Sequence, residues 1–234
     1  MNLQDSTHLI TGGSSGIGKA TAQLLIAKGA KVAITGRDKD KLEAVANEIG
    51  ATAIHADVAN PDDCQRTYDE FMAAFGKLDC LINNAGIGGG WGPIEELDID
   101  MMRKVYDVNV FGASMMGQKA AALFKEQQSG NIINIASTAA LKGYPKGSTY
   151  ASTKWALRGL TQCWQADLRQ YNVRVMLVNP SEVATAFGDP NRVERTAADN
   201  KLRSEEIAHA IVATLEMDDR GFIPELAVFA TNPW

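Results

Sequence analysis

Short apolar runs rich in branched residues alternate with longer amphipathic stretches of helical period, from the first residues almost to the last. The runs His8–Thr11, Lys31–Thr35, Ala53–Ala56, Leu78–Asn83, Asn131–Ala136, Val173–Val178 and Leu226–Phe229 read as strands covered on both faces. Helical stretches begin near Gly16, Asp38, Pro61, Asp98, Thr149 and Ser204, with Pro61 suited to a helix's first turn. Strand and helix in strict alternation is the signature of βαβ units. Right-handed crossovers then predict a doubly wound parallel sheet of about seven strands, helices on both faces, with its ligand crevice at the carboxyl ends of the strands. The segment Phe187–Leu202 breaks the rhythm, being polar and without clear period, and is expected to be a substrate loop, either a lid or a plain surface loop.

No linker or repeat interrupts the pattern. At 234 residues, against a prior of roughly 150 per domain, residues 1–234 are expected to form one domain. Hydrophobic residues make up 45% and charged residues 22%, which excludes a disordered or collagen-like chain. A net charge of −5 without a basic cluster argues against nucleic acid or an anionic membrane as partners. The cysteines Cys64, Cys80 and Cys163 are odd in number and widely spaced, as in a reduced cytoplasmic chain. His8, His55 and His209 lack the spacing of zinc ligands, so no metal is expected. The amino-terminal stretch has neither a basic start nor a long apolar run, and cytoplasmic localisation is the expectation.

After the first strand comes Thr11-Gly12-Gly13-Ser14-Ser15-Gly16-Ile17-Gly18, leading into a helix. Gly12 permits a tight turn, Gly16 lets backbone approach a pyrophosphate, and Gly18 allows helix to pack closely on sheet, while the helix amides face the anion. The spacing differs from the common dinucleotide fingerprint, and a structural turn remains open on this motif alone. The second strand ends in Thr35-Gly36-Arg37-Asp38. Gly36 stands where an acid would hold the ribose diol of NAD, and Arg37 can pair with a 2′-phosphate, so NADP(H) is the preferred cofactor. Asp38 keeps NAD(H) as the alternative.

Ser137 ends the fifth strand, and Tyr150-Ala151-Ser152-Thr153-Lys154 opens the next helix. A tyrosine and a lysine four apart share a helical face. At about 4 Å and an effective dielectric near 20, a cation favours phenolate by on the order of 4 kcal/mol, or roughly three pKa units. Such a phenol can act as acid or base near neutrality. A surface contact is the bland reading of the pair by itself.

Taken together these residues resemble the classical short-chain dehydrogenase/reductase family. The similarity runs along the chain through TGGSSGIG, Asp57, Asn83-Asn84-Ala85-Gly86, Asn109, Ser137, Tyr150-x-x-x-Lys154 and Pro180–Thr185. The resemblance implies a Rossmann-type fold and an NAD(P)-dependent oxidoreductase interconverting a carbonyl and an alcohol. In it Tyr150 would exchange the proton and Ser137 would bond the reacting oxygen. Lys154 would hold the nicotinamide ribose, and Asn109 would anchor a water linking Lys154 to solvent. By the same resemblance Asp57 would accept from the adenine amino group with Val58 beside the ring, and Asn83, Ala85 and Gly86 would approach the adenosine ribose. Ser14, Ser15 and Ile17 belong to the phosphate turn, and Pro180, Val183 and Thr185 would meet the nicotinamide amide. Plain structural readings stand beside several of these: a helix cap for Asp57, a turn for the Asn83 segment, a buried helical amide for Asn109. Ser181 departs from the family's glycine, which matters if φ there is positive.

Trp91, Tyr144 and Phe187 offer apolar walls for a substrate, with ordinary packing as the alternative. A simple ketone and a 3-oxoacyl-[acyl-carrier-protein]-like thioester are both compatible with them. The apolar helix Asp98–Gln128 carries more hydrophobic surface than one sheet contact needs, and family resemblance implies that it joins the Tyr150 helix in a homodimer or homotetramer. Two rivals to an NADPH-linked carbonyl reductase are a non-catalytic dinucleotide sensor, which need not keep Ser137, Tyr150 and Lys154, and a methyltransferase, which would not require the tyrosine–lysine pair. A serine hydrolase is excluded for want of a histidine partner and a nucleophile elbow around Ser137.

Overall fold

Leu9 and Ile10, Leu81 and Ile82, and Ile132 and Ile133 are neighbouring pairs whose members enter different apolar clusters. Successive side chains of a strand point to opposite faces, so a strand that is apolar at every position must be covered on both sides. That demand builds the fold. In a computed structural model, described for residues 1–187 and 198–232, the strands are β1 (Thr7–Ile10), β2 (Lys31–Gly36), β3 (Thr52–His55), β4 (Cys80–Asn83), β5 (Gly130–Ile135), β6 (Val173–Pro180) and β7 (Glu225–Val228). All pair in parallel, in the order β3-β2-β1-β4-β5-β6-β7.

The helices are α1 (Gly16–Ala27), α2 (Lys39–Ile49), α3 (Pro61–Phe75), α4 (Ile99–Tyr106), α5 (Ala113–Gln127), α6 (Ser148–Leu168) and α7 (Ser204–Glu216). One apolar layer joins Leu25 of α1, Leu42 of α2 and Ile207, Ile211 and Leu215 of α7 to the sheet. The opposite layer joins Tyr68 and Phe71 of α3, Phe124 of α5 and Leu168 of α6. Phe71 and Phe124 are fully buried, each contributing about 1.5–3 kcal/mol by leaving water. Among the described residues no helix is long and apolar enough to cross a membrane.

Strand order reverses between β1 and β4, and at such a switch point the crossovers diverge and leave a crevice. The expected strands all appear, with ends displaced by a few residues; β4, for instance, starts at Cys80 rather than Leu78. The expected helix over Asp98–Gln128 is corrected: α4 and α5 are separated by a wide π turn over Asp107–Gly112, with Asn109 inside it. Residues 188–197 of the expected substrate loop lie outside the described residues.

Candidate active site

A groove of about 870 Å³ runs along the carboxyl ends of the strands. At one end is the phosphate turn. Gly12 has φ +65, and a Cβ there would stand 2.9 Å from Ala85 Cα, so only glycine lets β1 and the segment after β4 come this close. Thr11 and Asn84 fasten the two segments: Asn84 and Ala85 amides donate to Thr11 Oγ1, both at 3.0 Å, and Asn84 Nδ2 donates to the Thr11 and Gly12 carbonyls. Gly18 lies behind the groove, packed on Asn84 Nδ2 and the Gly12 carbonyl, which is the packing role its position predicts.

The start of α1 bears on what this end can bind. The starts of α2, α3 and α4 are capped by the side chains of Asp38, Asn60 and Asp98. Ser15, at the start of α1, makes no capping hydrogen bond, and no acid occupies its first turn. Ser14, Ser15, Gly16 and Ile17 line the groove here, at the positive end of the helix dipole. A pyrophosphate fits this cradle.

Arg37, half-exposed at the end of β2, lines the groove with Lys41 and stands 3.9 Å from the Asp57 carboxylate. Asp57 Oδ1 accepts from the Ala59 amide, while Asn60 caps α3. Asp38 accepts from the Lys41 amide at 3.1 Å. A Cβ on Gly36 would come within 3.2 Å of Ser14 Oγ, so a longer acidic side chain here would crowd the turn. Val58, Ala85 and Gly86 line the same stretch, but Asn83 does not. Its side chain is buried, donating to Asn134 Oδ1 at 2.9 Å and to the Ala113 carbonyl. The expectation that Asn83 faces a cofactor is corrected to a bridge between neighbouring strands and α5.

At the other end Ser137, Tyr150 and Lys154 come together. Ser137 Oγ accepts from the Ala139 amide at 3.1 Å and lies beside the Tyr150 side chain, where it favours the phenolate. Lys154 Nζ donates to the Ile135 carbonyl at 2.9 Å and lies 5.7 Å from the Tyr150 ring centroid. Burial pushes the Tyr150 phenol up to about 12, against the pull of the Ser137 hydrogen bond, and Tyr144 adds to the rise. Burial also lowers the Lys154 ammonium to about 8. Burial thus opposes the phenolate that the spacing predicts, while the Lys154 ammonium is drawn towards Ile135.

Asn109 stands one layer behind. Its Oδ1 accepts from the Ile87 amide at 2.8 Å, and its Nδ2 donates to the Ile87 carbonyl at 2.9 Å and to Thr153 Oγ1 at 3.1 Å. Asn109 Oδ1 and Lys154 Nζ lie 3.4 and 3.7 Å from where a Cβ on Gly86 would be, so the bare glycine backbone separates them. Both amide hydrogens of Asn109 are spent on protein, which leaves its Nδ2 no proton for the water implied by resemblance.

Pro180, Val183 and Thr185 line the groove after β6. Ser181 carries no positive φ, and its amide donates to the Val228 carbonyl, so serine is unstrained where the family has glycine. Tyr144 and Phe187 line the groove, and Trp91 stands beside them with its ring 5.8 Å from that of Tyr150. Lys41, Lys142, Glu182 and Phe229 also line it. Sequence reasoning passed over these four, which carry no motif. For Lys41, the short step from strand to helix after Arg37 was the available signal.

A family model described as short chain dehydrogenase matches residues 6–196. The chain belongs to the short-chain dehydrogenase/reductase family. An uncharacterized oxidoreductase of Staphylococcus aureus (strain N315) is 33% identical over 234 residues, with 97% of each chain covered. Among solved structures, the alcohol dehydrogenase from the archaeon Thermococcus sibiricus, complexed with 5-hydroxy-NADP, has a TM-score of 0.89 at 27% identity, covering 97% of both chains. The 3-ketoacyl-(acyl-carrier-protein) reductase from Brucella melitensis, complexed with NADH, has a TM-score of 0.89 at 29% identity, covering 99% of this chain and 100% of that one. This short-chain dehydrogenase/reductase is an NAD(P)-dependent oxidoreductase acting on CH–OH and C=O groups of small molecules.

Proposed function

We propose that the chain reduces ketones with NADPH, Tyr150 giving the proton and Ser137 orienting the carbonyl oxygen. The observation that carries this reading is the convergence of Ser137, Tyr150 and Lys154 at one end of the groove, with Lys154 held by the Ile135 carbonyl. A phenol at this place can give a proton to the oxygen of a bound carbonyl. The dinucleotide, when bound, supplies the hydride that the protein lacks. Tyr150 passes its proton to the oxygen that becomes the alcohol, and Lys154, a few ångströms away, stabilises the charge left on the phenol until solvent restores the proton. Asn109 holds the Ile87 backbone, and thereby the segment after β4, against α6.

Arg37 and Lys41 support NADPH over NADH: two cations at the end of β2 match a 2′-phosphate. Asp38, the acid available for a ribose diol, is already engaged by the Lys41 amide. In this reading Gly12 to Ile17 hold the pyrophosphate. Asp57 and Val58 take the adenine, Ala85 and Gly86 the ribose, and Pro180, Val183 and Thr185 the nicotinamide amide.

The partner we propose besides substrate is a second copy of the chain. Ile99, Met102, Tyr106 and Phe111 frame an apolar hollow of about 270 Å³ on α4 and the π turn, with Ile99 and Phe111 half-exposed. Light scattering at micromolar concentration reads the assembly directly; a lone monomer refutes it. The unpaired thiols of Cys64, Cys80 and Cys163 support a reducing, cytoplasmic setting.

The test of the reaction is NADPH oxidation at 340 nm with a ketone panel. Tyr150→Phe should lower kcat by about 10³-fold, at the scale of a lost general acid, while NADPH binding by fluorescence stays within twofold. Equal turnover by the variant refutes Tyr150 as donor.

A further inference from the structure

We infer that the site is shaped for ketones carrying a flat ring, in preference to linear carbonyls of the same size; this rests on the reductase reading above. Three separate segments bring aromatic rings to the proton donor. Trp91, on the segment after β4, has its ring 5.8 Å from that of Tyr150, with planes at 49°. Phe187, on the segment after β6, is 5.5 Å from the same ring at 58°. Tyr144 continues the wall beyond Trp91 at 6.3 Å and 31°. These tilted separations are those at which ring edge and ring face attract.

Gly88 closes the arrangement. A Cβ there would meet Phe187 Cε1 at 3.2 Å and Trp91 Cζ2 at 3.3 Å, so both ring edges converge over this one bare residue. Any carbonyl oxygen in reach of the Tyr150 hydroxyl has its carbon skeleton within a few ångströms of these rings. A flat ring there gains tilted aromatic pairs; a linear chain gains only surface burial.

Charge is concentrated away from the rings. Among the described lining residues the cations are Arg37, Lys41, Lys142 and Lys154, and the first two belong to the β2 end. At the aromatic end Lys142 and Glu182 both line the groove, and Glu182 is paired with Lys201 at 3.2 Å. Lys154 is buried and bonded to the Ile135 carbonyl.

The test compares two eight-carbon ketones, acetophenone and 2-octanone, with NADPH and the full chain. Wild-type kcat/KM is expected to favour acetophenone by about tenfold, the scale of two ring contacts. Trp91→Ala and Phe187→Ala should each bring the ratio towards one, and Trp91→Phe should restore most of it; NADPH binding verifies that each variant is folded. A wild-type ratio at or below one, or a ratio unmoved in both alanine variants, overturns the inference. The NADPH complex is also titrated with acetophenone, read by tryptophan quenching. Saturable quenching without turnover of either ketone refutes the reductase reading and leaves the aromatic site standing. Absence of saturable quenching removes the site itself.

Discussion

Asn109 Nδ2 donates to Thr153 Oγ1 at 3.1 Å, and the same Thr153 hydroxyl donates to the Tyr150 carbonyl at 2.7 Å. Asn109 also grips Ile87 through both its backbone polar groups. One threonine thus ties the proton donor's helical turn to the segment after β4 that lines the groove. Thr153→Val keeps the shape and removes the hydroxyl. It should lower kcat about tenfold and stability by about 1–2 kcal/mol, the scale of a buried amide left short of a partner. NADPH affinity should be preserved and Thr153→Ser should behave as wild type. An equal loss of activity in the serine variant, by steady-state kinetics, would refute the relay.

Lys154 is a buried cation whose pKa falls from 10.5 to about 8. Its folded pKa is below its unfolded one, so between about 8 and 10.5 the unfolded chain holds more protons and stability rises with pH. Below that window the protein carries the cost of burying a charge. Lys154→Met should therefore raise stability at pH 7 by about 1–3 kcal/mol, the cost of the shift less the lost hydrogen bond to Ile135. Turnover should collapse in the same variant. Urea unfolding and the 340 nm assay measure both effects on one preparation.

His8 is fully buried in β1, with Nε2 2.7 Å from Ser6 Oγ and Nδ1 without a hydrogen-bond partner among the described residues. Burial lowers its pKa from 6.5 to about 4, against the pull of Asp79. The neutral ring is the form that folds, and the unfolded chain takes up the proton first. Wild type should lose about 1–3 kcal/mol as pH falls from 6.5 towards 4, the scale of such a shift. In His8→Gln the urea midpoint should vary less over this window; an undiminished slope assigns the loss to other groups.

Arg37→Ala should weaken NADPH binding by about 10–100-fold, as expected for a lost charge-assisted pair, and leave NADH affinity within twofold. Lys41→Ala should act in the same direction with smaller effect. Titration by cofactor fluorescence gives the four dissociation constants. An unchanged NADPH-to-NADH ratio in Arg37→Ala removes the arginine from cofactor selection.

The strands were legible because a parallel sheet buries both faces and leaves apolar runs, and helix starts announced themselves at Asp38 and Pro61. The grouping of Ser137, Tyr150 and Lys154 was also readable, since each falls just after a strand or on one helical face. Three things were not. The π turn around Asn109 has the apolar spacing of an ordinary helix, and only tertiary hydrogen bonds to Ile87 and Thr153 reveal it. Of the pair Asn83-Asn84, the sequence does not say which faces the groove; strand alternation turns Asn83 into the core. The direction of the Tyr150 shift depended on burial, which spacing does not report, while the charge of Lys154 was visible four residues away.

The groove at the start of α1 couples the fold to its cofactor. A dinucleotide that binds the folded chain alone stabilises it, so each tenfold rise in its free concentration above the dissociation constant deepens the native well by about 1.4 kcal/mol. The abundance of the dinucleotide, oxidised or reduced, would then govern how long this enzyme survives as well as how fast it works.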